Sequence, residues 1–274
     1  MRVNKMKRIL AIFFFVLPVC VMAQHDSLFV RNKIIKGEFT DFTVDNLNYI
    51  YLFNPWGQLK KLKPNGDSLA VFNDVRRYGK VHSIDVSNPL KVLLYFKDFG
   101  TVVVLDRQLG RRDILDLRRL GLFQVKAISL AYDNGFWVFD EQEGKLKHLN
   151  EAGDVIDQFT DFRILFDPMP SPQFLADQNK SLYLYDSTKG IYIFDYYGAF
   201  KKKIAYTGWK DFTVINNLLF GRSDNQLFRY DPATLQLQEY AVATNMANAI
   251  KILITPDNLY VLHSDRLEIF SYKR

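Results

Sequence analysis

The sequence predicts an all-β fold: a six-bladed β-propeller with four antiparallel strands per blade, closed by its N-terminal strand. Three observations predict it. A unit of about 40 residues recurs six times: an apolar strand, an Asp/Asn turn, a Leu-Tyr-type strand, a polar turn, a third strand, a Gly or Pro turn and a fourth strand. The Leu-Tyr-type strands start about 36 to 46 residues apart, which is blade spacing. The sixth unit lacks its fourth strand, and a strand-like segment, 27–36, stands ahead of the first unit with no blade of its own.

The Leu-Tyr-type second strands are expected at 49–53, 92–96, 136–139, 182–185, 218–220 and 259–262. Short runs rich in aromatic and β-branched residues between turn formers argue strand over helix. Inner strands at 42–44, 83–86, 127–130, 174–176, 212–214 and 250–253 precede them. The connections, such as Asp45-Asn46, Asp133-Asn134-Gly135, Asn216-Asn217 and Asp257-Asn258, supply residues that tolerate the left-handed backbone of tight hairpins. Third strands follow at 58–62, 101–105, 145–149, 191–194, 226–230 and 266–270. Outer strands follow at 68–72, 113–117, 155–159, 200–204 and 235–240. Pairing 27–36 with 266–270 completes the sixth blade and removes the open edge of the ring. The expected division is a signal peptide at 1–23 and one propeller domain at 24–274. Its blades fall near 41–81, 82–125, 126–171, 172–210, 211–247 and 248–274 with 27–40.

The first residues carry an export signal: Arg2, Lys5, Lys7 and Arg8, then an apolar run from Ile9 to Val21, then Val21-Met22-Ala23 before Gln24. The run is too short to span a bilayer core comfortably, so the mature chain is expected to have no transmembrane segment. Leu17-Pro18-Val19-Cys20 is a weaker alternative, lipidation of Cys20, with Val19 where a small residue is normally required. Cleavage after Ala23 removes the sole cysteine, leaving a domain held by its core alone. It also removes four basic residues and no acid, so the formal charge falls from +6 to +2. A near-neutral domain gives no electrostatic reason to expect nucleic acid.

The chain shows no catalytic constellation. Of its four histidines, His25, His82, His148 and His263, only His82 stands at the start of an inner strand, and one histidine does not make a zinc site. Asp41, Asp45, Asp85, Asp177 and Asp211 lie near inner-strand ends, where a ring of carboxylates is one route to a calcium site. Asp41 and Asp211 precede their strands while the other three end them, so the two groups are expected at opposite mouths of the channel. Neither a Gly-x-Ser-x-Gly elbow nor a phosphate-cradling Gly-rich loop occurs. No cofactor or metal is expected.

A propeller sorts its loops onto two faces. One face, carrying the turns between first and second and between third and fourth strands, reads as short and polar. The other, carrying second-to-third turns and inter-blade connections, gathers aromatics and arginines: Trp56, Arg76, Arg77, Tyr78, Phe99, Arg118, Arg119, Phe123, Phe162, Arg163, Phe166 and Trp209. These are residue types enriched where proteins bind proteins, and they form the candidate partner-binding set. Packing between blades is the competing destination for the aromatics.

The turn and Leu-Tyr strands quoted above resemble the six-bladed propellers of the NHL and TolB-like superfamily across the whole mature chain. The resemblance is architectural; Trp-Asp dipeptides and sialidase Asp boxes are missing. With the export signal, it implies a non-catalytic interaction module of the bacterial cell envelope, periplasmic or outer-membrane associated. Its expected partner is another envelope protein, such as part of an outer-membrane assembly or secretion complex, and the domain itself is expected to be monomeric. Two rivals stay open: a metal-dependent hydrolase or lyase at the channel mouth, and a carbohydrate or peptide binder using Trp56 and Trp209.

Overall fold

A computed structural model describes residues 29–224, 226–241, 246 and 248–272. The expected leader, its cleavage point, Cys20 and His25 lie outside the described residues. Six four-stranded antiparallel sheets form the ring of a six-bladed β-propeller. Blade one comprises Asp41–Val44, Ile50–Phe53, Leu59–Leu62 and Ser68–Phe72. Blade two comprises Ser83–Asn88, Lys91–Phe96, Thr101–Asp106 and Arg111–Asp116. Blade three comprises Val125–Leu130, Phe136–Asp140, Lys145–Leu149 and Val155–Gln158. Blade four comprises Phe174–Gln178, Ser181–Asp186, Gly190–Asp195 and Phe200–Ile204. Blade five comprises Lys210–Ile215, Leu218–Arg222, Gln226–Asp231 and Gln236–Ala241. Blade six comprises Lys251–Ile254, Asn258–Leu262 and Arg266–Tyr272, with Phe29–Lys36 as its outer strand. That strand pairs antiparallel with Arg266–Tyr272, from Phe29 opposite Tyr272 to Lys36 opposite Arg266, so the first described residues close the ring.

The core follows from this arrangement. Second strands are covered on both faces by neighbouring blades, so Lys91–Phe96 and Phe136–Asp140 are buried throughout, while the outer strand Val155–Gln158 is exposed throughout. The buried apolar side chains fall into six clusters, one between each pair of adjacent blades. Aromatic rings fill the seam between blades three and four, where Trp137, Phe139, Phe159, Phe162 and Phe194 meet.

Lysines bind successive blades together. Lys61 Nζ donates to the Arg107 carbonyl at 3.0 Å and Lys202 Nζ to the Pro232 carbonyl at 2.7 Å. Lys33 and Lys91 reach the Asn65 and Asn134 carbonyls in the same way. In each case a turn carbonyl of the next blade receives a charge-assisted hydrogen bond.

The two faces are equally well marked. On the upper face, inter-blade connections bond to the second-to-third turn of the blade they leave. Leu117 N–H donates to Gly100 O, Phe162 to Gly144 O, Gly208 to Ser187 O and Gly37 to Asp265 O, all at 2.7–3.0 Å. On the lower face, first-to-second turns link round the channel mouth, as in Asn48 to Asp257 and Asn179 to Asn217. Phe29 and Tyr272 both lie at the lower face.

Differences from the expected strands are local. The outer strand of blade two is Arg111–Asp116, two residues earlier than expected, because Leu109 takes a positive φ and closes the turn ahead of Gly110. Two inter-blade connections contain a single helical turn that no periodicity announced: α1, Val75–Tyr78, and α2, Phe162–Leu165, the latter capped by the Asp161 side chain.

Candidate functional site

The upper face over blades one to three is the candidate site. Asn54 accepts from the Trp56 and Gln58 N–H groups at 3.1 and 2.9 Å, folding a tight turn that leaves Trp56 76 % exposed. Phe99 is 55 % exposed, with one ring edge lying over Gly79, where any Cβ would stand 3.0 Å away. Its turn is anchored by Arg118, whose Nη2 donates to the Asp98 carbonyl at 2.7 Å. Phe123 is 63 % exposed on the next connection. Ile164 and Leu165 on α2 add exposed apolar surface that sequence reasoning missed. A four-residue helical turn with one face packed by Phe162 leaves its neighbours outward, and nothing in the local sequence announces it.

Several expected contact residues lie elsewhere. Tyr78, Phe162 and Trp209 are buried, which corrects their assignment to a contact surface. Tyr78 packs on Phe96 at 5.3 Å, and its hydroxyl accepts from Arg111. Phe162 stacks on Phe194 at 5.0 Å. Trp209 lies between Tyr206 and Phe228, near-parallel to both rings at about 5 Å, with its indole flat against Gly221. Gly221 stands mid-strand, and a strand glycine marks close approach of another group; that signal was available in Phe220-Gly221-Arg222. Phe166 is half-buried, edge-on to Phe162, Tyr192 and Phe200.

The arginines divide by what already holds them. Arg163 is exposed but clamps Asp161 through Nε and Nη2 and donates to the Glu143 carbonyl at 2.8 Å. Those hydrogen bonds hold the Asp161 carboxyl below its usual range. Arg119 pairs with Asp116 at 3.3 Å. Arg77 is exposed, its guanidinium 5.6 Å from the Tyr78 ring, and makes no ion pair among the described residues. The Arg76 side chain lies outside the described set.

The lower face is less polar than its turn sequences suggest, since Leu47, Leu90, Tyr132, Tyr197 and Leu235 are exposed there. Charge separates the faces more sharply. The lower turns, 45–49, 63–67, 89–90, 107–110, 131–135, 150–154, 179–180, 196–199, 216–217, 232–235 and 255–257, hold three basic and six acidic residues.

Inner-strand carboxylates serve the scaffold. Asp45 accepts from Leu47 N–H, Tyr49 N–H and Tyr51 Oη; burial, then Asp45 itself, pushes that phenol well above its ordinary range. Asp85 accepts from Leu130 N–H at 2.8 Å and Asp211 from Ile252 N–H at 2.8 Å, each tying one inner strand to the next. Asp211 also takes Arg222, and Asp41 takes Lys251 at 2.8 Å. Asp177 accepts from Trp137 Nε1, Tyr132 N–H and Tyr196 Oη; burial raises its carboxyl above the usual value against these bonds. Among the described residues no three His, Cys, Asp or Glu side chains gather as metal ligands. An open cleft of about 470 Å³ lies beside α2, lined by Phe166, Asp167, Thr188, Lys189, Tyr192 and Lys203.

No known family model matches the chain, and no curated protein matches it either. Solved propellers do. One is a catalytically inactive variant of virginiamycin B lyase from Staphylococcus aureus with quinupristin: 11 % identity, 88 % of this chain and 99 % of that one, TM-score 0.61. Another is the Neurospora crassa Pan2 WD40 domain: 8 % identity, 90 % and 96 %, TM-score 0.63. A third is PorZ, an essential bacterial surface component of the type-IX secretion system of Porphyromonas gingivalis: 11 % identity, 90 % of this chain and 39 % of that one, TM-score 0.51. At such identities the likeness is one of fold. Among the described residues no helix is long and apolar enough to cross a membrane.

Proposed function

We propose that this propeller is an exported, non-catalytic interaction module of the bacterial cell envelope, docking a protein partner on its upper face over blades one to three. The observation that carries the proposal is the outward presentation of Trp56, Phe99 and Phe123 on three loops of one face, each loop pinned by backbone hydrogen bonds. Large aromatics held rigidly in solvent lose little entropy on binding and are typical of interface anchors. The position of Phe29 adds support: this residue lies on the lower face, opposite the proposed docking surface. PorZ provides an analogy, since a propeller of similar fold works at a bacterial surface within a secretion system. Export, periplasmic or outer-membrane placement and a domain at 24–274 belong to the same proposal, with the leader of Arg2 to Ala23 as their support.

Cross-linked pull-down of the tagged protein from envelope extracts tests the reading. A defined partner should be recovered by the wild-type protein and lost with Trp56→Ala/Phe99→Ala/Phe123→Ala. Recovery of free monomer alone would sink it.

A further inference from the structure

The chain has 36 basic and 30 acidic residues; six basic and one acidic lie outside 29–272, leaving that body with a net charge of only +1. Charge is not spread evenly over it. Four upper-face loops, 54–57, 73–82, 97–100 and 117–124, carry six basic residues (Arg76, Arg77, Lys80, Lys97, Arg118, Arg119) against Asp74 and Asp98, a net +4. The rest of the body is therefore net negative, as the lower-face turns already show. Within the positive sector, Asp74 is taken by Arg111 at 3.1 Å. Arg77, Lys80 and Lys97 make no ion pair among the described residues. These unpaired cations share the sector with Trp56, Phe99 and Phe123.

Resting on the docking role proposed above, we infer that the partner presents an acidic polypeptide segment with interspersed apolar side chains. Its carboxylates meet Arg77, Lys80 and Lys97, while its apolar groups cover Trp56, Phe99 and Phe123. Charge complementarity selects this occupant. A second copy meeting it face to face would bring a like-charged +4 sector against this one, and a basic or neutral segment would leave the cations unpaired as they lose water. Steering by such a sector is long-range and screened by salt, so binding weakens with ionic strength.

The test pans a random-peptide display library on the purified full-length protein and reads the composition and affinity of what is enriched. Enriched peptides should be net acidic with aromatic or aliphatic residues. They should bind about tenfold or more weakly to Arg77→Glu/Lys97→Glu, and weaken as NaCl rises from about 0.05 to about 0.5 M. Neither substituted side chain makes an ion pair among the described residues, and Arg77→Gln/Lys97→Gln serves as the milder variant if the charge reversal fails to fold. Neutral or basic peptides, or affinities unchanged by charge reversal, would overturn the inference. If such peptides still depended on Trp56 and Phe123, the docking role would survive without the acidic partner. If no peptide binds and no envelope partner depends on those aromatics, both readings fall together.

Discussion

Phe162 decides between two destinies for an aromatic on an inter-blade connection, and Phe162→Ala separates them. The ring is fully buried, stacked on Phe194 at 5.0 Å and tilted against Phe139 at 5.3 Å and Phe166 at 5.5 Å. Truncating a buried phenylalanine costs about 3–5 kcal/mol through lost transfer energy and the cavity left behind. The three ring contacts put this site at the upper part of that range, because aromatic pairs add about 0.5–1.5 kcal/mol each beyond area. In a domain of this size about 1 kcal/mol moves Tm by about 2–4 °C, so a drop of roughly 8–20 °C is expected. Trp56→Ala, at a site open to solvent, should stay within about 0.5 kcal/mol of wild type. Equilibrium urea unfolding monitored by tyrosine and tryptophan fluorescence measures both. A Phe162→Ala variant with unchanged midpoint but impaired partner capture would refute the seam packing between blades three and four.

Burial lowers the His263 pKa, with Arg266 lowering it further against Glu268 and Asp265. Its folded value therefore lies below the ordinary 6.5, and the unfolded chain takes up a proton first as pH falls. Stability should be intact above pH 6.5 and decline as pH drops toward the folded value; in His263→Gln that decline should flatten, as read from Tm between pH 7.5 and 5 (conditions set about the reference value). Asp177→Ala strands the buried Trp137 indole N–H, at about 1–3 kcal/mol, and also the half-buried Tyr196 hydroxyl. Asp177→Asn, which keeps an acceptor, should cost less, measured by urea midpoint. Lys61 is 2 % exposed, its ammonium held by the Arg107 carbonyl and the Tyr49 and Tyr51 ring faces, and burial lowers its pKa. The folded state thus disfavours the charge, so stability rises with pH between the lowered value and 10.5. Lys61→Met should remove that alkaline gain at a net cost of under about 2 kcal/mol, because losing the hydrogen bond is offset by losing the desolvation penalty.

Ring number and closure were legible in the sequence because both rest on period. Alternating apolar strands recur at blade spacing, and the spare strand at 29–36 matches the gap after 266–272. The candidate site was legible only in part. Trp56 and Trp209 have the same residue type and similar loop settings, yet one faces water and the other lies between two rings. A loop has no repeat to set side-chain direction, so exposure depends on what the neighbouring blade offers. Gly79 lets Phe99 lie over the backbone at one place, and Gly221 takes up Trp209 at another. The lysines bound to turn carbonyls were equally hidden, since each joins residues about 30 to 46 positions apart and no local pattern marks them.

Of the described strands Phe29–Lys36 is made first, yet its ladder partner, Arg266–Tyr272, is made last. Any product that stops early leaves the first strand without a mate and the blades on either side of the gap with bare apolar flanks. Such fragments are natural targets for proteases and for self-association. The seam thus makes survival conditional on synthesis running through Tyr272, a quality control written into the topology.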